Sequence, residues 1–461
     1  GVVGGDGVVG ARLRRRDVPH TMAAYVVSYN LLSQKLCQPE WYVHCASASI
    51  DPHKRRERLE KKLIPLLEEN AVICLQELSA SFAAHLVVLF ERHGYHLVHD
   101  QYAGKSSGFM GVGIAYPRAR YELQDAVIES PTDERWVRES QAAANKRNDR
   151  LPSIATDGRA TAIVAAALGV CMAVKGQVMG GASAMMLDVV AAAVLLFCAQ
   201  QSWMCRANNQ AREPQKTADQ QYFEDVAQPT NRFVMLKLRD GKVNSFACCL
   251  RVPSCKDLTR LPAFLNGRRC RASSCEERAW HDTGFWVCTY HMPCKYRNVP
   301  AMVTLAALLG QRVQSIVQNE PLIIAGDFNF VPNSSPYMLI TTGRCSRDSP
   351  DYPHVRKIEK GRHCKWLPRM SALRSAYVLA NGREPEVTNH SATRQRDGTI
   401  NKFTDCLDYI FVSSHWAARD CIRTMAREEL KAVRSLPNAY EPSDHLMIGC
   451  CLRLKKLDKL A

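Results

Sequence analysis

The sequence predicts an α/β fold. Short apolar runs of strand length recur along most of the chain, and amphipathic stretches of helix length separate several of them. Two of the runs, Ala71–Leu75 and Leu322–Ala325, are continuously apolar, as strands buried on both faces are. With 461 residues and 46% hydrophobic content, the chain can bury a sizeable core and is globular by composition.

The elements follow in order. "AAYVVSYN" from Ala23 reads as a strand, and "DPHKRRERLEKKLIPLLEEN" from Asp51 as an amphipathic helix with Leu59, Ile64 and Leu67 toward a core. "AVICLQE" is a buried strand. "SASFAAHLVVLFERHG" is a helix begun by Ser79 and stopped at Gly94, and "YHLVH" and "GVGIAYP" are further strands. Regular patterning stops near Ser130 and resumes with "NRFVMLKLRDGK" at Asn231, a gap of about a hundred residues that exceeds any ordinary loop. A second patternless stretch runs from Arg251 to Asp282. Then come the strand "FWVCTYH", a helix from Pro300 through Ile316, the strand "LIIAGDFN", a short helix near Ser335, and the strand-like runs "CLDYIFV" and "HLMIGCCLRL". The expected organisation is a tail at 1–22, one domain over 23–454 with insertions at about 132–228 and 251–282, and a tail at 455–461.

Charge and motifs narrow the function. The formal net charge of +16 favours a polyanionic partner such as nucleic acid. Nineteen cysteines without paired CxxC knuckles or a signal-peptide pattern fit thiols in a reducing compartment better than a zinc site or a secreted framework. Gly5, Gly7 and Gly10 match GxGxxG, but no strand precedes them; "AGKSSG" lacks the first glycine of a phosphate loop. Within the first insertion Ala160–Val174 and Val189–Ala199 are uncharged. A membrane span needs about 20 apolar residues, so a packed helical insert, or translated non-coding sequence, is the expected reading and a membrane is not an expected partner.

The chemistry sits where strands stop. In "PLIIAGDFNFVPNSSPYML", Gly326 allows a sharp turn, and Asp327 and Asn329, two apart, point the same way if the chain stays extended. An ordinary Asx-type turn would use the same residues. Asn30, Glu77, His291, Asp408, Asp444 and His445 likewise stand at or beside the ends of strand-like runs. Their joint occurrence points to one pocket. Carboxylates with carboxamides and no thiolate cluster form an oxygen-rich set that suits Mg²⁺, with Mn²⁺ as substitute, over zinc.

"SYNLL", "LQE", "TYH", "GDFNFVPNSSPY", "KFTDCLDYIF" and "PSDH" occur in the order of the endonuclease/exonuclease/phosphatase superfamily. They most resemble its branch of poly(A) deadenylases, nocturnin, Angel proteins and 2',5'-phosphodiesterase. The resemblance spans about 23–117 and 231–454 and implies a four-layer α/β/β/α sandwich of two mixed sheets flanked by helices, interrupted by the two insertions. It further implies that Glu77, with Asn30 and Asp444, forms the metal site, Glu77 being the direct ligand. Asp327 would orient or deprotonate the attacking water, with Asn329 holding water and phosphate. His445 and Asp408 resemble the family's His–Asp pair, and His291 its phosphate-binding histidine. Thr289 stands where the family usually has Asn.

The resemblance implies a Mg²⁺-dependent 3'-to-5' exoribonuclease, deadenylase-like, acting on single-stranded RNA with a free 3' end and releasing 5'-nucleoside monophosphates. Phe330, Pro332 and Tyr337 are candidates to stack the terminal base, with loop packing as the alternative. A DNA phosphodiesterase or abasic-site endonuclease, a nucleotide or phosphoinositide phosphatase, and a catalytically silent RNA-binding scaffold are the other readings. The expected compartment is the cytoplasm, with nucleus and mitochondrion as alternatives.

Overall fold

A computed structural model describes residues 23–131, 232–240, 284–353, 356–359, 362–365 and 367–455. Nearly all of both expected insertions, including the apolar runs from 160 to 199, and both tails apart from Lys455 lie outside the described residues. The chain divides into two compact units, and every described residue belongs to the one comprising 1–134 and 225–461.

The strands are β1 (Ala23–Asn30), β2 (Val72–Leu78), β3 (Tyr95–Gln101), β4 (Gly111–Pro117), β5 (Tyr121–Glu129), β6 (Phe233–Asp240), β7 (Phe285–His291) and β8 (Leu322–Asp327). They continue with β9 (Arg356–Glu359), β10 (Arg362–Lys365), β11 (Arg374–Ser375), β12 (Asn389–Arg394), β13 (Ile400–Asp405), β14 (Asp408–Val412), β15 (Trp416–Arg419) and β16 (Ile448–Leu454). The helices are α1 (Ser47–Ile50), α2 (Pro52–Glu68), α3 (Ala80–Arg92), α4 (Val299–Val317), α5 (Ser335–Thr342), α6 (Ala376–Asn381) and α7 (Arg427–Leu430).

Two six-stranded sheets form, in the orders β15-β16-β1-β2-β4-β3 and β11-β14-β8-β7-β6-β5. Each is mixed, with one parallel pair, β1 with β2 and β7 with β8, among antiparallel neighbours. The expected architecture is therefore present. Alternation along each strand divides its side chains between two layers. Val26, Cys74, Ile114, Val234, Val287, Ile323, Ile410 and Ile448 join in a core between the sheets, while Tyr25, Val27, Ile73 and Leu75 pack with Leu59, Leu63, Phe82 and Leu86 of α2 and α3. On α2 the buried face is Arg55, Leu59, Leu63, Leu66 and Leu67; Ile64, expected on that face, lies at its edge.

The long gaps in patterning open between paired strands. Glu129 of β5 pairs with Phe233 of β6, and Leu238 of β6 with Phe285 of β7. Replacing 132–228 by a short linker is accordingly expected to leave a cooperatively folded protein, because loop closure changes by only about 0.6 kcal/mol per doubling of length. Thermal unfolding and circular dichroism of the shortened chain check this, and loss of a cooperative transition would show that the removed residues complete the core.

Two expectations change here. Gly326 lies in the extended part of β8, and a Cβ there would sit 1.9 Å from the Tyr290 carbonyl oxygen, so the glycine serves a close strand approach and not a turn. Cys421 and Cys450 form a disulfide, unlike the eight free cysteines among the described residues, where a reducing compartment and mostly thiols were expected. No helix among the described residues is long and apolar enough to cross a membrane.

Candidate active site

Strand register assembles half of the site. His291 of β7, Asp327 of β8 and Asp408 of β14 are direct pairing partners across three adjacent strands, and their parity is that of Val287, Ala325 and Ile410, which face the other sheet. The facing sheet supplies Asn30, which shares the parity of Val26 at the end of β1. The two rows touch where Asn30 Nδ2 donates to Asp327 Oδ2 at 3.0 Å.

Glu77 arrives differently. Alternation would put it with Ile73 and Leu75 on the helix side, but β2 shifts register against β4 between Leu75 and Leu78, and Glu77 takes a φ of +50°. This bulge turns the carboxylate inward, where Oε1 accepts from Asn30 Nδ2 at 3.1 Å and Oε2 from the Ser33 amide at 2.9 Å.

Asp327 uses its two oxygens separately. Oδ1 accepts from the Asn329 amide at 2.9 Å, closing an Asx turn, while Oδ2 faces Asn30 and lies 3.6 Å from both His291 Nε2 and His445 Nε2. The turn and the site are thus one feature. Burial pushes the Asp327 carboxyl up to about 6, with Asp408 adding to the rise and the two histidines opposing it. Asn329, at a φ of +52°, sends Nδ2 to the Met292 carbonyl at 2.7 Å, so its amide group spans the ends of β7 and β8.

His445 Nδ1 donates to Asp408 Oδ2 at 2.8 Å, and the His445 amide donates to Ser443 Oγ. Burial alone would lower the imidazole's proton affinity, but the carboxylates of Asp408 and Asp327 outweigh it and raise the affinity well above the ordinary range. Asp444 Oδ2 accepts from the Tyr42 hydroxyl at 2.8 Å; burial raises its carboxyl, His445 opposes, and Glu77 adds to the rise.

Which groups could hold a cation follows from the donors. Asp327, Asp408 and His445 offer ligand atoms within 4.8 Å of one another. That closeness is already accounted for by the contacts of the His445 ring with Asp408 and Asp327, and the ring's raised proton affinity makes it a poor ligand. Asp444 Oδ1 and Asp408 Oδ1 are buried without a hydrogen-bond partner, a costly state for a carboxylate oxygen that a hard cation relieves. With Glu77 close enough to perturb Asp444, an oxygen-donor set fits a divalent cation.

The structure departs from the sequence reading at several residues. Asn30 was expected at the metal, yet its Oδ1 accepts from the Leu32 amide at 2.9 Å and its amide nitrogen bridges Glu77 and Asp327. Phe330 and Tyr337 were candidates for base stacking but are 4% and 8% exposed. They pack with Phe328, Tyr409 and Phe411, and Tyr337 Oη donates to Glu384, so loop packing describes them. Pro332 is half-buried beside them. Thr289, in place of the usual Asn, accepts from Gln76 Nε2 at 3.0 Å, closing a polar floor under the site with Ser28.

Sequence reading missed Tyr42 and Arg55. Arg55 is fully buried and donates to the carbonyls of Leu31, Leu32 and Pro442 and to Gln34 Oε1, all at 2.6–2.7 Å. It thereby joins the segment after Asn30 to the one before Asp444. Its spacing to Leu59 and Leu63, four residues at a time, was the available signal.

Comparison with known proteins comes to bear on this geometry. The model of the Endonuclease/Exonuclease/phosphatase family matches residues 27–445. Bovine (Bos taurus) 2',5'-phosphodiesterase 12 is 30% identical over 137 residues, 29% of this chain and 20% of that protein. The probable CCR4-Not complex 3'-5'-exoribonuclease subunit Ccr4 of Vairimorpha ceranae is 29% identical over 159 residues, 34% of this chain and 29% of that protein. The matched parts therefore span less than a third of those relatives. In fold, the chain is similar to ANGEL2, a 2',3'-cyclic phosphatase solved with adenosine-2',3'-vanadate, with a TM-score of 0.54, 17% identity, and coverage of 95% of this chain and 97% of that one.

Proposed function

Since the chain belongs to the endonuclease/exonuclease/phosphatase family, we propose that it is a divalent-metal-dependent phosphodiesterase, acting as a 3'-to-5' exoribonuclease that releases 5'-nucleoside monophosphates. The observation that carries this reading is Asp327 Oδ2, set between Asn30 Nδ2 and two imidazole nitrogens, with one imidazole backed by Asp408. That arrangement pairs a base with hydrogen-bond donors around a point where a phosphoryl group can sit.

Mg²⁺, or Mn²⁺ in its place, held by Glu77 and Asp444, supplies charge that offsets the negative phosphoryl oxygens. The remaining work falls to the chain's own groups. Asp327 orients a water in line with the leaving 3' oxygen and takes its proton as the new P–O bond forms and the P–O3' bond breaks, the released 3' oxygen taking a proton from solvent. His445, kept protonated by Asp408, donates to a non-bridging phosphoryl oxygen as charge accumulates there, and His291 donates from the other side. Asn30 holds Asp327 and Glu77 in register. The buried, unpartnered Oδ1 of Asp444 and the inward turn of Glu77 support the cation's place in this scheme.

The resemblance to a 3'-5'-exoribonuclease subunit favours RNA with a free 3' end, for which the deadenylase-like motifs suggest an A tract, and the resemblance to 2',5'-phosphodiesterase 12 favours a 2',5'-linked oligonucleotide as the second reading. Purified full chain, given RNA ending in A, in C or U, 2',5'-oligoadenylate, single-stranded DNA and an abasic duplex, separates them. Shortening of the A-tailed RNA one nucleotide at a time to AMP is expected. Internal cleavage, indifference to a blocked 3' end, or preference for the abasic duplex would overturn it. Activity is expected to vanish in chelator and return with Mg²⁺ or Mn²⁺ but not zinc, and Glu77→Ala to need more Mg²⁺ or lose turnover. Unchanged turnover in chelator, or unchanged Mg²⁺ dependence in Glu77→Ala, would remove Glu77 from the cation site.

A further inference from the structure

Four aromatic side chains stand at least half in solvent among the described residues: Trp41, Phe109, Tyr296 and Tyr440. Each lies on a segment tied to the site. Trp41 precedes Tyr42, whose hydroxyl holds Asp444. Phe109 follows Gly108, where a Cβ would lie 3.3 Å from Ser33 Oγ, and the Ser33 amide holds Glu77. Tyr296 is on the segment after His291, whose Met292 carbonyl receives Asn329. Tyr440 leads into Ser443, Asp444 and His445. Single exposed apolar residues are ordinary, but the whole exposed aromatic set on the segments around one pocket is not accounted for by packing.

Phe109 adds an independent sign. Its φ is +54°, a left-handed backbone that a bulky residue rarely adopts. On this backbone the ring stands 50% exposed. Exposed Lys35 and Lys105 stand beside it in its loop cluster, with Lys35 Cβ 3.1 Å from the Cβ position of Gly108, and the Arg297 guanidinium lies 5.5 Å from the Tyr296 ring centroid. Flat rings interleaved with cations match a ligand of flat bases on an anionic backbone whose faces are free. Duplex bases hide those faces in their own stack.

We propose that these four rings form a stacking surface for the bases of single-stranded nucleic acid, feeding a terminal phosphodiester to Asp327. This rests on the phosphodiesterase reading and gives it a substrate surface in the place vacated by Phe330 and Tyr337. Stacking is indifferent to base identity, so the surface grips any single strand and leaves base preference to the pocket.

The test measures affinity of the full chain for short single-stranded oligoadenylate and oligouridylate with phosphorothioate linkages and for the duplex of the two, alongside turnover of glycerophosphocholine, a diester without aromatic rings. Phe109→Ala and Tyr296→Ala are each expected to weaken both oligonucleotides by about 5- to 150-fold, the range of one lost base stack. Turnover of the small diester should be unchanged, as should oligonucleotide affinity in Val88→Ala, an exposed position on α3. Affinities unchanged in both aromatic variants, with the small diester still hydrolysed, would overturn the stacking surface alone; so would equal affinity for duplex and single strand. Failure of the wild-type chain to hydrolyse any diester with any divalent cation would instead overturn the phosphodiesterase reading.

Discussion

His445→Ala and Asp408→Ala are each expected to lower phosphodiester hydrolysis by about 10²- to 10⁴-fold, and the double variant is expected to be no worse than the poorer single. The reason is that Asp408 acts through the imidazole. Its Oδ2 sits 2.8 Å from His445 Nδ1, and both groups are buried, so the carboxylate holds the ring's orientation and keeps it protonated. Without the ring, the carboxylate has no route to the phosphoryl oxygen; without the carboxylate, the ring loses charge and aim. Asp408→Asn separates the two contributions, since it keeps the shape and removes the charge. Values of kcat/KM for the four variants and wild type check the cycle. Losses that multiply in the double variant would show two independent groups and would place Asp408 with the cation instead.

Arg55→Ala is expected to destabilise the fold by at least about 3 kcal/mol, seen as a lower urea midpoint. Four donated bonds leave with the guanidinium, and the carbonyls of Leu31, Leu32 and Pro442 stay buried without it. An orphaned buried acceptor costs about 1–3 kcal/mol. Arg55→Lys should recover only part, because a single ammonium cannot reach acceptors on both segments as the planar fork does. The same variants should weaken hydrolysis at temperatures where they remain folded, since the two segments carry Asn30 and Asp444. A midpoint within about 0.5 kcal/mol of wild type for Arg55→Ala would mean that the two segments are held by other contacts.

Much of the fold was legible before any coordinates. Continuous apolar runs and a 3.6-residue period mark β1, β2, β4, β7, β8, α2, α3 and α4, because burial on both faces leaves few polar positions in a strand, and a helix must present an apolar stripe. The hairpin of β12 and β13 was not visible. "NHSATR" and "INKFTD" are mostly polar two-stranded partners outside both main sheets, so burial imposed no pattern on them. Short β11 and β15, at the sheet edges, left equally little trace.

At the site, the sequence alone determined which residues stand at strand ends. That was enough to assemble His291, Asp327, Asp408 and Asn30, since strand periodicity aims each of them inward once the core faces are known. Tertiary structure decided the rest. Glu77 reaches the pocket against its strand's alternation, through a bulge set by pairing with β4. Phe330 and Tyr337 are lost to stacking because Tyr409 and Phe411, some 70 to 80 positions away in the chain, close around them. Arg55 matters only because Leu31 and Pro442, far apart in sequence, meet at its two ends. Local periodicity records how a residue faces its own element, whereas the value of a bulge, a buried ring or a buried cation depends on partners that only the closed sandwich brings within reach.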